Sequence, residues 1–423
     1  MSIFPPTDGM RADSCPGALR PHRAEDGLLV RIRLPGGVLP EGGLRALAAI
    51  SAVHGNGRLE LTSRANVQLR ALRERELDEV VRKLSTAGLL PSASHERARN
   101  IVAAPLQGRC PPGRWEIRPV ISQLDRRLVA EPGLAELSGR FLFALDDGSG
   151  SVLSINADLC LFPVSDTVAG LVITGRDTGL RFPVEQAVPV LIAAARTFLR
   201  ERHARSSDAW RLSGLPGGAA AIVRRLGEEF GLTAPASPAP LAPPSRPAAL
   251  IGPLREHTGG YSLGVVVPLG TLAPAQAELL DDLGGGTATI TPWRTVVLEN
   301  LDDAAVARAR RLLGQAGLPT DPASEWLHVT ACAGRPGCGK ALSDVRADAA
   351  RLTQASEGAK SGVLPVHWAA CERRCGRPAG STVEVLATGD GRYELSGGNL
   401  TSPRAHDLTE LPAAIAQARR ITD

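Results

Sequence analysis

The sequence predicts an α+β chain built twice, and three observations predict it. A Pro/Ala/Ser-rich stretch, "GLTAPASPAPLAPPSRPAAL" (Gly231–Leu250), can sustain neither helix nor ladder and divides the chain into unequal halves. Each half opens with the same succession of strand, helix, strand and helix. The match, with its punctuation, extends over about 60 residues and points to internal duplication. After each such unit comes a larger α+β segment with two strands around a Gly-containing turn.

In the first half, "GLLVRIRLPGGVLP" (Gly27–Pro40) reads as a strand stopped by Pro-Gly-Gly, and a helix follows over Gly42–Val53. "RLELTSRANVQLR" (Arg58–Arg70) reads as one strand, followed by a helix over Glu74–Ala87. The second half repeats this with a strand at Tyr261–Gly270, a helix at Ala273–Leu283, a strand "TATITPWRTVVLEN" at Thr287–Asn300 and a helix at Asp303–Ala316. Trp293-Arg294 takes the repeat position of Ser63-Arg64. A right-handed crossover is expected to join the two strands of each unit. In the larger segments, "GRFLFALDDGSGSVLSINA" (Gly139–Ala157) is expected to form strand, turn and strand. "STVEVLATGDGRYELSGG" (Ser381–Gly398) echoes it, with its turn at Thr388–Gly391. A helix running to Arg205 should bury Val190, Leu191, Ala194 and Phe198, with Pro189 in its first turn.

The composition narrows the function. With 423 residues the chain can hold several cores, and 43% hydrophobic with 22% charged residues is ordinary for a globular protein. Aromatics are only 3%, which argues against bases stacked on rings and so against a single-stranded nucleic-acid partner. The net charge of +4 is mild, and no Lys/Arg block forms a nucleic-acid-binding arm. The basic residues are mostly Arg, which favours forked contacts with an acidic small molecule. "MSIFPPTDGMRADSCPG" lacks the basic and apolar regions of a signal peptide, and the apolar runs are too short to span a membrane. A cytoplasmic protein without a membrane partner is expected, its thiols reduced, and clustered cysteines there point to metal.

Four of the seven cysteines fall in "ACAGRPGCGK" (Ala331–Lys340) and "AACERRCGRP" (Ala369–Pro378), as Cys-x5-Cys…Cys-x3-Cys. Structural zinc prefers shorter, knuckle-type spacing, so an iron–sulfur cluster held by Cys332, Cys338, Cys371 and Cys375 is the better reading. Gly334, Gly337, Gly339 and Gly376 let the loops bend and bring amides to sulfur. Arg335, Lys340, Arg373 and Arg374 supply positive charge nearby. Cys15, Cys110 and Cys160 read as structural thiols. His328 and His367 precede the two cysteine pairs. They are expected to be structural, with second-shell contact or ligation of a mononuclear iron as the alternatives. "HGNG" at His54–Gly57 lacks the full Gly-x-Gly-x-x-Gly spacing and reads as a turn, and there is no dinucleotide fingerprint.

The cysteine pattern behind two copies of a β-α-β-α unit resembles the ferredoxin-dependent nitrite/sulfite reductase superfamily, from about Arg11 to the chain's end. The resemblance implies two ferredoxin-like half-domains plus two larger α+β domains with pseudo-two-fold symmetry. The boundaries fall at 11–88, 89–230, the linker 231–250, 251–318 and 319–423. It implies a [4Fe–4S] cluster on the four cysteines, the last of which bridges to sirohaem in that family. "LTSRANVQLR" matches the family's Thr-Thr-Arg-Gln…Gln strand and implies Arg64 at the tetrapyrrole. "RARNIVAAPL" (Arg97–Leu106) matches its Arg-Asn-Val stretch and implies Arg99 and Asn100 on the same pocket, these three being the expected catalytic residues.

The family's Arg-Lys-Phe-Lys stretch corresponds to "SGRFLFAL" (Ser138–Leu145), where Arg140 and Leu142 replace the lysines that hold and protonate a small oxyanion. That departure, with "CPGALRPH" (Cys15–His22), "TPWR" and the short cysteine motifs, resembles the precorrin-3B synthase branch. The resemblance implies O2-dependent hydroxylation of precorrin-3A at C20 with γ-lactone closure, in aerobic cobalamin biosynthesis. The tetrapyrrole would be substrate, not cofactor, its carboxylates held by Arg31, Arg33, Arg64, Arg70, Arg97, Arg99 and Arg140. A ferredoxin or NADH-dependent reductase would supply electrons. Two alternatives stay open: a sirohaem-dependent reductase, and a non-catalytic tetrapyrrole-binding or electron-transfer protein.

Overall fold

The computed structural model describes residues 13, 15–233, 247–355, 364–378 and 380–420. Most of the expected linker, 234–246, lies outside the described residues. The first unit is an antiparallel sheet in the order His22–Ala24, Gly27–Ile32, Val67–Leu72, Leu59–Leu61 and, from the second unit, Thr271–Leu272. The segment expected as one strand, Arg58–Arg70, is therefore a hairpin. Thr62 causes it. Its Oγ1 accepts from the amides of Arg64 (3.3 Å) and Asn66 (3.1 Å), and its own amide donates to the Asn66 carbonyl at 2.9 Å. Such side-chain bonds offer the backbone a turn in place of a ladder. In consequence Gly27–Ile32 and Leu59–Leu61 run parallel but with Val67–Leu72 between them. The helix Gly43–His54 thus joins strands two places apart, not neighbours.

The second unit repeats this order as Gly252–Arg255, Tyr261–Val266, Thr295–Leu301 and Thr289–Ile290. Thr291 makes the same set of bonds, to Trp293, Arg294 and Thr295. The match pairs Arg64 with Trp293 and Ala65 with Arg294, at φ 55° and 60°. The expected alignment of Arg294 with Arg64 is off by one residue. The two units also exchange strand edges. Thr271 pairs with Glu60, and Val38 bridges Thr289. One apolar core therefore spans both, with Val30, Leu47 and Leu69 meeting Val265, Leu280 and Leu298. Units this small gain a sufficient core by sharing it.

Each larger segment is a five-stranded sheet of three parallel strands continued by an antiparallel hairpin. The first runs Ile101–Ala103, Phe143–Leu145, Leu159–Pro163, Val168–Ile173 and Arg176–Pro183. The second runs Val329–Ala331, Val366–Ala369, Val383–Gly389, Arg392–Ser396 and Arg404–Asp407. The counterpart of the hairpin in Ser381–Gly398 is thus Leu159–Ile173, not Gly139–Ala157. Within the latter only Phe143–Leu145 is strand. The Asp146 carboxylate then takes the amides of Gly148 (2.8 Å), Gly150 (3.0 Å) and Val152 (3.2 Å), locking a loop. The helix Ala187–Ala204 buries Val190, Leu191, Ala194 and Phe198, with Pro189 in its first turn, as the spacing predicts. Helices Arg118–Ala130 and Gly218–Phe230 pack on it, and Val345–Ala355 packs on the strands Val329–Ala331 and Val366–Ala369. Among the described residues no helix is long and apolar enough to cross a membrane.

Candidate functional site

Cross-strand pairing sets Arg31 opposite Gln68 and Gln68 opposite Glu60, a polar row across one face of the first unit's sheet. Arg31 Nε donates to Gln68 Oε1 at 2.9 Å, and Gln68 Nε2 donates to Glu60 at 3.2 Å. Glu60 also accepts from Arg346, whose Nε donates to the Cys332 carbonyl at 3.1 Å. A continuous line of polar contacts thus joins the arginine-bearing sheet to the first cysteine loop. In the second unit the same three positions are Gly264, Val297 and Thr289, and Leu250 packs over Val297. The duplication has kept a polar face on one sheet and closed it on the other.

The cysteines lie where two neighbouring parallel strands end. Cys332 follows Val329–Ala331 and Cys371 follows Val366–Ala369, at their carboxyl ends, the usual ligand edge of parallel sheets. All seven cysteines of the chain are free thiols. The Ala370 amide donates to Cys332 Sγ at 3.2 Å. Burial pushes the Cys332 thiol up against that bond, and Cys371 and Cys375 lie close enough to act on its charge. Gly334 and Gly376 take positive φ, 66° and 83°, as the tight loops require. Among the described residues no three His, Cys, Asp or Glu side chains are gathered as a single metal ion would gather them. The donor set nevertheless fits an iron–sulfur cluster: four free thiols on facing loops, with an amide already directed at sulfur. The expected positive surroundings are only partly available. Arg374 is paired with Glu372 and Glu384, and Arg335 donates to the Ala341 carbonyl.

The seven expected substrate arginines divide into two groups. Arg31, Arg33 and Arg64 stand together, Arg31 acting on the charge of the other two and Arg64 on that of Arg33, with Cys15 acting on all three. Arg33 and Arg64 both donate to the Gly139 carbonyl, at 3.2 and 3.1 Å, and none of the three meets a carboxylate among the described residues. Burial foremost, then Arg31, pushes the Arg33 guanidinium down to about 9. Its Nε and Nη1 lack partners, and the residue lines a cavity of about 10 Å³. Asp13, Glu60 and Asp158 act on the charge of the three arginines only from beyond ion-pair distance, so the forked donors are left for an added anion.

The other four are engaged. Arg70 forks onto Asp26 at 3.0 Å twice and donates to the Gly337 carbonyl, so it braces the cysteine loop. Arg99 forks onto Asp125 at 2.7 and 2.8 Å, and Arg97 holds Asp13. Arg140 is exposed and lies 4.4 Å over the Trp210 ring. Asn100 is fully buried and donates to the Phe141 and Gly139 carbonyls, shaping the turn that leads into the strand Phe143–Leu145. Leu142 points into the core at 2% exposure. Replacing Arg99 by Ala should leave the Asp125 carboxylate unpaired and cost about 3 kcal/mol, measured by denaturant unfolding.

His367 is fully buried, with Thr330 Oγ1 2.9 Å from Nδ1 and no well-formed hydrogen bond on Nε2. Burial, then Arg294, pushes it down to about 4, so it is neutral at pH 7. Burial likewise lowers His328. Cys110 and Cys160 are buried, as expected of structural thiols. His54–Gly57 ends a helix in a turn, as expected. Three residues of the site carry no expectation above: Glu60, Gln68 and Arg346. Their partners lie on other strands or other domains, and no local pattern marks them.

Residues 20–87 match the nitrite/sulfite reductase ferredoxin-like half domain. The chain is 28% identical to a precorrin-3B synthase of Sinorhizobium sp over 397 residues, 90% of this chain and 82% of that one. It is 26% identical to a ferredoxin–nitrite reductase of Synechococcus elongatus, covering 85% of this chain and 76% of the relative. A ferredoxin sulfite reductase of Mycobacterium tuberculosis is 25% identical, over 77% of this chain and 62% of the relative. The solved structure of the Mycobacterium tuberculosis NirA protein superposes with a TM-score of 0.72 at 19% identity, covering 91% of this chain and 79% of that one.

Proposed function

We propose that this chain, an oxidoreductase-like protein with the fold of the nitrite/sulfite reductases and a sequence resembling precorrin-3B synthase, hydroxylates a cobalamin precursor. Its substrate would be precorrin-3A. One atom of O2 enters at C20 as a hydroxyl, and the other leaves as water with two electrons and two protons from an external donor. A γ-lactone closes as the ring A acetate oxygen adds to the ring carbon next to C20 and its proton passes to the new C20 oxygen, so no further water is lost and the product gains one oxygen atom. The observation that carries this reading is the arginine cluster without carboxylate partners, on the sheet face that runs through Gln68, Glu60 and Arg346 to Cys332.

Arg31 and Arg64 would bind rim carboxylates by forked contacts, and Arg33 would add charge behind them. The Arg97–Asp13 pair would hold the segment bearing Cys15 over the cluster. Cys332, Cys338, Cys371 and Cys375 would hold a [4Fe–4S] cluster, which supplies single-electron transfer. Exposed Arg335, Lys340 and Arg373 offer a positive rim to an acidic electron donor. Reduction of a small oxyanion fits this chain less well. Of its three lysines, Lys83 lies in the last turn of a helix of the first unit and Lys340 sits in the first cysteine loop, so neither belongs to the arginine cluster, and Lys360 lies outside the described residues. Arginine holds an anion but does not readily give up a proton.

The test is anaerobic purification, an absorption spectrum with iron and sulfide counted, then precorrin-3A with O2 and a reductant. The expected result is an iron–sulfur shoulder without sirohaem bands, and a product one oxygen atom heavier by mass spectrometry. Sirohaem bands in the purified protein would make the tetrapyrrole a cofactor and overturn the reading.

A further inference from the structure

Arg294 is set apart from the other arginines around the cysteine loops. Arg70, Arg346 and Arg374 each hold a carboxylate, and Arg335 and Arg346 each hold a carbonyl. Arg294 has neither among the described residues, although it is largely shielded from solvent and lies within charge range of Glu60 and Arg346. Its placement is specific. The turn fixed by Thr291 holds it at φ 60°, a conformation that side chains rarely adopt. Gly270 leaves room for its stem: a Cβ there would stand 2.6 Å from Arg294 Cδ. The guanidinium reaches the last cysteine loop, with Nη2 3.4 Å from where a Gly376 Cβ would stand. His367 Cε1 lies 3.9 Å from the same point, and its buried Nε2 makes no well-formed hydrogen bond, although the Cys375 backbone lies near the ring. A guanidinium and an imidazole from different domains therefore converge on the space that Gly376 leaves open.

The geometry points to a second anion-binding point of the proposed tetrapyrrole site: Arg294, supported by His367, takes a carboxylate on the ligand edge nearest Cys375. This rests on the tetrapyrrole reading and deepens it. Arg31 and Arg64 anchor one side of the macrocycle from the first unit, and Arg294 anchors the other from the second. The pseudo-two-fold exchange that sets Thr271 beside Glu60 also brings the second unit to the edge of this polar face. Ala65, the repeat counterpart of Arg294, has no group to offer there. The duplicated turn has thus been adapted on one side only.

The test uses metal-free uroporphyrin, whose rim carries acetate and propionate carboxylates, with its methyl ester as the uncharged probe. Fluorescence titration should show Arg294→Gln weakening uroporphyrin binding about tenfold or more, and Arg294→Lys weakening it less. Arg64→Gln combined with Arg294→Gln should lose the sum of the single effects on a logarithmic scale, as separate anchors do. Ester binding should not respond to Arg294→Gln. His367→Gln should weaken uroporphyrin severalfold. Unchanged uroporphyrin affinity in folded Arg294→Gln overturns the assignment, as does an equal loss for the ester. If Arg294→Gln does not fold, Arg294→Lys decides in the same way. Wild-type protein that binds no uroporphyrin overturns both this assignment and the tetrapyrrole reading. Arg294-dependent binding without O2 consumption on precorrin-3A would remove the reaction and leave the site standing.

Discussion

Cys375→Ser is expected to give a folded protein that has lost its iron and acid-labile sulfide and all turnover. The thiolate is the soft ligand that iron–sulfur chemistry requires, and a serine oxygen replaces it poorly. Cys375 is exposed, so its sulfur contributes little to the packing of the polypeptide. The loss would therefore fall on the metal site and not on the fold. Cys160→Ser is the control. That thiol is wholly buried in the strand Leu159–Pro163, and burial pushes it well above its ordinary range. A serine hydroxyl there should cost about 1–3 kcal/mol for a poorly satisfied polar group, with the metal content of the folded protein unchanged. Iron and sulfide assays with denaturant unfolding separate the two outcomes. Full metal content in Cys375→Ser would remove Cys375 from the ligand set.

What was legible in the sequence was local. The helix ends followed from spacing and from Pro or Gly stops: the helix expected over Ala273–Leu283 is Pro274–Leu283, and Asp303–Ala316 is Asp303–Gln315. The cysteine pattern stood out because its residue type, its spacing and its glycines are all short-range. The hairpin at Thr62 was missed although a local signal exists. Thr followed four residues on by Asn or Thr recurs at Thr62–Asn66 and Thr291–Thr295, and both pairs close the same turn. Reading through that turn as one strand also shifted the alignment of Arg294 by one residue.

The partners of the arginines were not legible, because they lie far along the chain. Arg99 finds Asp125 26 residues away, and Arg70 finds Gly337 267 residues away. Alternation along "LLVRIRL" places Arg31 and Arg33 on one face. It cannot say that Gln68 meets the first while the second is sealed beneath Gly139. A charged side chain becomes a ligand group when tertiary structure withholds its counter-charge, and that is a property of the assembled fold.

Arg70→Met should destabilise the protein by about 3–5 kcal/mol and loosen the first cysteine loop. Arg70 and its carboxylates are well shielded, with side-chain exposures of 8% for Arg70, 12% for Asp26 and 7% for Glu60. Methionine fills similar space but leaves both carboxylates undercompensated and the Gly337 carbonyl without its donor. The pH dependence follows from Glu60. Burial alone would raise its carboxyl, but Arg346, then Arg70 and Gln68, outweigh burial and hold it below the usual range. A carboxylate depressed in the folded state contributes stability above its unfolded value, about 4.3, and loses it as pH falls through the folded value. Without Arg70 the folded value rises toward the unfolded one. That contribution shrinks at neutral pH, and protonation begins at a higher pH. Acid unfolding followed by circular dichroism should therefore move to higher pH in Arg70→Met, and bound iron should be released sooner to a chelator. Arg70→Lys restores a charge but not the fork, so it should recover part of the acid resistance and little of the loop's hold on iron. An Arg70→Met protein that unfolds in acid where the wild type does, with iron release unchanged, would show that Arg346 alone holds Glu60 and that the loop does not need its brace.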